Sequence, residues 1–227
     1  ADLHGVHSHG VMRVPTYVAR VTGKGVDPEG QPKVVKDAGA VMVVDGGNAM
    51  GQIGCTCAMR KAIERARSTG IAAVALGHSN HCGAMYYYAK MALAEDMIGI
   101  AMTNALPTMA PWGGSDKLVG MNPMAVAIPA LQEKPFILDI AFAASALGRM
   151  VVYKQKGLKL PPGWAFDKEG QPTVDPVEAL AGIMAPIGEH KGIGLAMMVG
   201  ILSSLLSGSG YGAESGTPEK GPIPGKD

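Results

Sequence analysis

The chain has 227 residues, of which 47% are hydrophobic and 17% charged. That balance supports a sizeable core and excludes an intrinsically disordered polymer. With 20 basic and 19 acidic residues the formal charge is +1, so no global field selects nucleic acid or an anionic membrane. Glycine (32) and proline (16) are frequent without a repeating period, which reads as many tight turns rather than collagen or low complexity. Aromatic residues make up 5%, and 15 methionines take over much of their space filling. Cys55, Cys57 and Cys82 are too few for a disulfide scaffold, which favours a reducing compartment, the cytoplasm. No signal peptide is expected, because residues 1–10 already hold an acid and three histidines.

In chain order, Val11, Val14, Tyr17 and Val18 are spaced for one helical face, and a Gly- and Pro-rich loop follows over 23–32. Val41-Met42-Val43-Val44 running into Asp45-Gly46-Gly47-Asn48 predicts a short buried strand and a turn. Residues 57–68 predict a helix with Met59, Ala62, Ile63 and Ala66 on its apolar face and Gly70 as its stop. A second strand over 71–76, a second helix over 84–95 and a third strand over 98–103 complete an alternation that argues for an α/β domain. Beyond 107 the pattern turns to short strands, including 124–128 and one over 136–138 that ends in Asp139. A helix over 141–153, an irregular proline-bearing stretch over 160–176 and an apolar helix opening near Lys191 follow. The apolar run 193–206 is 14 residues long, short of the roughly 20 that cross a bilayer, and reads as a buried core helix. No repeat or linker divides the chain, so residues 1–227 read as a single unit.

Three places concentrate chemistry. Gly77-His78-Ser79-Asn80-His81-Cys82-Gly83 follows the 71–76 strand, and strand ends in α/β sheets are where reacting groups collect. Its imidazoles suit proton transfer near neutrality. They equally suit a helix N-cap with a solvent-facing ring, and His78, His81 and Cys82 could serve a zinc hydrolase or lyase. The second place holds His4, His7, Ser8, His9 and Arg13; an arginine one turn beyond a histidine can clamp a carboxylate beside an acid/base. A polar helix surface is the plain alternative. The third is Gly188-Glu189-His190-Lys191-Gly192-Ile193-Gly194, whose backbone N–H groups and lysine suit a phosphate. It is neither a dinucleotide fingerprint nor a P-loop, and close helix packing would also explain its glycines. Residue types alone lead to an α/β enzyme with a phosphorylated ligand.

Taken together, the motifs carry a resemblance. Gly5 through Val14, Asn80-His81-Cys82-Gly83, Pro111-Trp112-Gly113-Gly114, Gly120-Met121-Asn122-Pro123, Asp139-Ile140-Ala141, Gly163 through Asp167 with Gly170 through Pro176, and Lys191 through Leu195 stand in one order. That order resembles the type-2 malate/L-lactate dehydrogenase family, which includes ureidoglycolate dehydrogenase, diketogulonate reductase, sulfolactate dehydrogenase and cyclic-imine carboxylate reductases. The resemblance implies a mixed-sheet α/β fold that is not a Rossmann fold, a homodimer, and NAD- or NADP-dependent hydride transfer on a small 2-keto or 2-hydroxy acid. A cyclic imino acid is the alternative substrate. By matching position it implies His81 as the general acid/base, with His9 as its competitor, and Ser8 and Arg13 as substrate contacts. Ala105, Asp139, Ile140, Ala141, Ser145 and Lys191 would line the cofactor. Where members usually carry Ser or Thr, and Thr, this chain has Ala105 and Met121, which removes two hydroxyls from that lining. The resemblance also leads us to expect further sequence beyond both ends.

Overall fold

The computed structural model describes residues 1–5 and 7–212. Most of the Gly-, Pro- and Ser-rich tail expected from 208 onward lies outside them. Three single 3-10 turns, Asp2–His4, His7–His9 and Val11–Arg13, lead into helix α1, Val14–Thr22. Pro15 sits in its first turn, where a missing N–H removes no helical bond. Strand β1, Lys33–Ala38, turns through Gly39 (φ 76°) into β2, Val41–Asp45. Helix α2, Gly51–Thr69, ends at Gly70 in the left-handed region (φ 78°), the stop that the sequence predicts. Strand β3, Ala73–Gly77, pairs in parallel with β2, while β1 pairs antiparallel on its other side. This first sheet is therefore mixed. Nothing in β1 signals a strand, because all six residues are exposed and no apolar face alternates.

Helix α3, Tyr86–Met91, continues as a 3-10 turn, Ala92–Glu95, so the predicted helix over 84–95 is split and starts later. Strand β4, Gly99–Met102, does not extend the first sheet as the alternation suggests. After β5, Pro107–Met109, and β6, Val119–Gly120, come β7, Met124–Ile128, and β8, Phe136–Ile140, and β4-β7-β8 form an antiparallel sheet. The cause is local. A side chain at Gly99 would collide with the Ala89 carbonyl, so β4 lies directly on α3, with Ala125 and Ala127 of β7 buried beneath Tyr88 and Ala89. Among the described residues β2 and β3 form the one parallel pair.

The second half builds the larger core cluster. Helix α4, Leu147–Gln155, starts later than predicted because Ala143 bridges Pro186 and the Ala144 N–H donates to the Ala185 carbonyl, at 2.7 Å. Strands β9, Ala165–Phe166, and β10, Pro172–Thr173, and then β11, Ile183–Met184, form a small sheet in the order β10-β9-β11. Helix α5, Pro176–Ala181, is capped by the Asp175 carboxylate, which accepts from the Val177 and Glu178 N–H groups at 2.7 and 3.2 Å. The 163–176 motifs of the resemblance thus build scaffold. Helix α6, His190–Ser203, opens where expected but is buried on one face only: Ile193, Ala196 and Val199 point inward, and Leu195, Met198 and Ile201 are exposed. The stretch His190–Ser207 has the length and apolarity to cross a membrane, and a third of it is buried within this structure.

Gly51 couples this framework to the segment after β3, since a Cβ there would collide with the Asn80 carbonyl oxygen and press on His81. Gly148 in α4 faces open space. We expect Gly51→Ala to lower stability by about 1–3 kcal/mol, and Gly148→Ala to raise it by up to about 1 kcal/mol. Urea denaturation of both variants measures the contrast.

Candidate active site

The 78–83 segment is held by its asparagine. The Asn80 amide nitrogen lies 2.9–3.0 Å from the Asn48 backbone and side-chain oxygens and the Ala49 carbonyl. Its Oδ1 accepts from Arg20 Nη2 at 2.9 Å. The loop is thereby tied both to the turn between β2 and α2 and to α1. The result sets His81 against α1, where its Nδ1 stands 2.8 Å from the Tyr17 hydroxyl. Gln52 Nε2, from the first turn of α2, donates to the same hydroxyl oxygen at 3.0 Å.

Helix α1 does not use the predicted apolar face. Val11, Val14 and Val18 are exposed, and the inward stripe is Arg13, Tyr17 and Arg20. Spacings of four and three place those residues on one side, and that signal, read with the histidines, would have found Tyr17 and Arg20. The His7–His9 3-10 turn brings His9 in beside His81, with ring centroids 5.7 Å apart and planes 24° from parallel. Ser8 Oγ lies 2.9 Å from His9 Nδ1. Arg13 Nε donates to the Ser8 carbonyl at 2.7 Å, which fixes the guanidinium and directs its terminal nitrogens away from that bond.

Electrostatically the imidazole pair is held neutral. Burial, then the charges of His9, Arg13 and Arg20, push His81 down to about 4. Its ring keeps an edge open to solvent, so a substrate can reach it. Burial and Arg13 also lower His9, against a pull from Asp139 in the other direction. Asp139, near the end of β8, accepts from the Tyr86 N–H at 2.9 Å and is raised by loss of solvent. Ser8, His9, Arg13, His81 and Asp139, predicted from separate stretches, therefore act on one another.

Of the other predicted residues, Ala105, Ile140 and Ala141 lie at or just beyond the ends of β4 and β8. Met102, Met124 and Ile140 align across the second sheet, so Ala105 and Ala141 leave it at the same edge. The Ala105 N–H donates to Asn122 Oδ1 at 2.8 Å, and Asn122 Nδ2 donates to the Ala196 carbonyl of α6 at 2.7 Å. The Met121 carbonyl accepts from Phe142 N–H at 2.8 Å. At the two positions without hydroxyls, backbone groups thus serve the scaffold. The Phe142 carbonyl accepts from Ile187 N–H at 2.9 Å, just before α6 and Lys191. Lys191 is exposed in the first turn of α6, and Trp112 packs edge-on against the neighbouring His190, centroids 6.0 Å apart. Ser145 is buried, and its Oγ has no hydrogen-bond partner among the described residues. Gly192 is explained by packing, since a side chain there would collide with the Ile187 carbonyl.

The zinc alternative is not supported by this geometry. His78 Nδ1 pairs with Asp45 Oδ1 at 3.0 Å, His81 turns to Tyr17, and Cys82 is buried in the core against Cys55. Among the described residues no group of three or more His, Cys, Asp or Glu side chains is placed to hold a metal. The three ligands point to three different neighbours.

A neutral, solvent-reachable imidazole pair flanked by an arginine and a carboxylate is an arrangement for proton transfer on an anionic substrate. The sequence profile of the malate/L-lactate dehydrogenase family matches residues 1–226, and the chain belongs to that family. It is 42% identical over 221 residues to L-sulfolactate dehydrogenase of Methanocaldococcus jannaschii, covering 97% of this chain and 62% of that protein. The solved structure of the M. jannaschii sulfolactate dehydrogenase superposes with a TM-score of 0.91 at 39% identity, over 98% of this chain and 65% of that one. Ureidoglycolate dehydrogenase (NAD(+)) of Escherichia coli O157:H7 is 33% identical, over 94% of this chain and 61% of its own length. The structure of Δ1-piperideine-2-carboxylate reductase from Pseudomonas syringae pvar. tomato matches with a TM-score of 0.86 at 32% identity, over 91% of this chain and 63% of that one. The chain spans a little over three-fifths of the length of these relatives. The fold is accordingly the mixed-sheet α/β architecture of this family and not a Rossmann fold.

The lowered His81 pKa has a consequence for stability. The unfolded ring binds its proton near pH 6.5 and the folded one only near 4, so protonation favours the unfolded chain as pH falls through that interval. The ring's open edge screens the effect, and we expect a loss on the order of 1 kcal/mol between pH 7 and 4.5 from this residue. Denaturant melts at both pH values should show the loss in the wild type and a smaller one in His81→Asn.

Proposed function

We propose that the protein is an oxidoreductase that interconverts a small 2-keto acid and its 2-hydroxy acid with NAD or NADP. The observation that carries this reading is the stacked His9–His81 pair, reachable from solvent, with Arg13 acting on both rings and Asp139 on His9. Membership in the malate/L-lactate dehydrogenase family supports it. Two groups suit a phosphate-bearing cofactor: the buried Ser145 Oγ has no hydrogen-bond partner among the described residues, and Lys191 stands exposed at the opening of α6. Ser145, Lys191, Asp139, Ile140, Ala141 and the backbone at Ala105 would hold it. When bound, the nicotinamide supplies or takes the hydride.

The chain's own residues position the acid and manage its proton. Arg13, held by the Ser8 carbonyl, offers its terminal nitrogens to the substrate carboxylate, and the Ser8 hydroxyl stands beside the His9 ring. That contact favours keto acids over simple ketones. His81 carries the proton exchanged with the substrate oxygen. His9, its ring centroid 5.7 Å away, lowers the affinity of His81 for a second proton. The relation to a Δ1-piperideine-2-carboxylate reductase structure gives a second reading, reduction of a cyclic imino acid, in which Arg13 holds the same carboxylate and the proton goes to nitrogen.

The deciding experiment is a panel of 2-keto acids and cyclic imino acids assayed with NADH and NADPH. We expect turnover of at least one acid; its absence across the panel removes the proposal. His81→Ala should lower kcat by roughly 100- to 10,000-fold with cofactor binding retained in fluorescence titration. Near-normal turnover in that variant, with loss in His9→Ala, would transfer the proton role to His9. Arg13→Lys should raise KM for the acid by about 10- to 100-fold.

The free cysteines agree with a reducing, cytoplasmic setting. We further propose a homodimer, because Phe136, Leu147, Val151, Leu195 and Ile201 leave apolar surface on β8, α4 and α6 exposed. Light scattering coupled to gel filtration should give twice the protomer mass.

A further inference from the structure

Neither family membership nor the proton role of His81 explains why a tyrosine hydroxyl sits behind that ring. We propose that Tyr17, anchored by Gln52, fixes His81 in the tautomer bearing hydrogen on Nε2, so that an N–H donor faces the substrate oxygen. The inference rests on the reading of His81 as the proton carrier. The Tyr17 oxygen accepts the Gln52 Nε2 hydrogen at 3.0 Å and stands 2.8 Å from His81 Nδ1. With Gln52 donating to its oxygen, the hydroxyl keeps its own hydrogen free to give to Nδ1, and a neutral imidazole that accepts there carries its hydrogen on Nε2. Burial holds the phenol protonated, and burial together with His9, Arg13 and Arg20 holds the imidazole neutral.

The arrangement also accounts for the proton. As the substrate carbonyl gains its hydride, the oxygen takes the Nε2 hydrogen, the N–H bond breaks, and Nδ1 gains the Tyr17 hydroxyl hydrogen. Water returns a hydrogen to the Tyr17 oxygen as its own leaves, so the buried phenol is not left charged, and Gln52 keeps its N–H on that oxygen. Tyr17 acts through His81 and is a positioning residue.

The test is a long-range 1H–15N correlation spectrum of the histidine rings in the intact 15N-labelled protein at pH 7, with His81 assigned by His81→Asn. We expect the Nε2–H pattern for His81 in the wild type and a move toward mixed tautomers in Tyr17→Phe. In that variant kcat should fall about 10- to 100-fold with KM and cofactor affinity changed less than about twofold. Gln52→Leu, which leaves the phenol in place, should shift the His81 signals the same way. An Nδ1–H pattern in the wild type overturns the proposal, as do unchanged His81 signals in both variants. If the tautomer and its response are as expected while no acid in the panel is turned over, the tautomer assignment stands and the reaction assignment falls.

Discussion

The side chain of Asn80 joins three pieces of chain that lie far apart in sequence. Its nitrogen is held by Asn48 and Ala49 oxygens, and its oxygen by Arg20. Without those bonds the segment after β3 would be an ordinary surface loop, and His81 would have no fixed relation to α1. With them, the ring meets Tyr17, and α2 is so close beneath that only glycine fits at position 51. The electrostatics of the site follow from this placement. Two imidazoles and two arginines are brought near one another, so each ring is disposed to remain neutral until a negative ligand arrives.

Much of the local structure was legible because its signals are local. Gly70 ends α2, the apolar run of β2 is a strand, and α6 opens beside Lys191, all as periodicity and punctuation predict. The resemblance implies His81 and His9 for proton transfer, Ser8 and Arg13 for the substrate and Asp139 for the cofactor lining, and the structure sets Ser8, Arg13, His81 and Asp139 around His9. What stayed hidden depends on contacts between distant segments. The direction of β4 is decided by its approach to the Ala89 carbonyl, which no periodicity in 98–103 records. Strand β1 is exposed along its length and gives no alternation to read. The α1 face was misread because its valines look like a core stripe, whereas the inward contacts are made by two arginines and a tyrosine with hydrogen-bonding partners across the site.

The two positions at which the resemblance leads one to expect hydroxyls show how a frame can be held by main chain. Ala105 and Met121 offer no hydroxyl, yet their backbone groups bond to Asn122 and Phe142. Asn122 reaches on to the Ala196 carbonyl inside α6, so the geometry of this edge is set by main chain and one buried amide. Side chains there can be exchanged without loosening the backbone that presents them.

The interior is filled in an unusual way for a chain so poor in aromatic rings. Met85, Met109, Met150 and Met184 are among its most buried side chains, and unbranched thioethers adopt many shapes at small cost. Beside a histidine loop held by the Asn80 hydrogen bonds, the rest of the interior behaves as a compliant cushion. It can absorb changes of neighbouring volume that would strain a lattice of rings. Exchanges of buried side chains can then accumulate singly, without each awaiting a compensating exchange elsewhere in the interior.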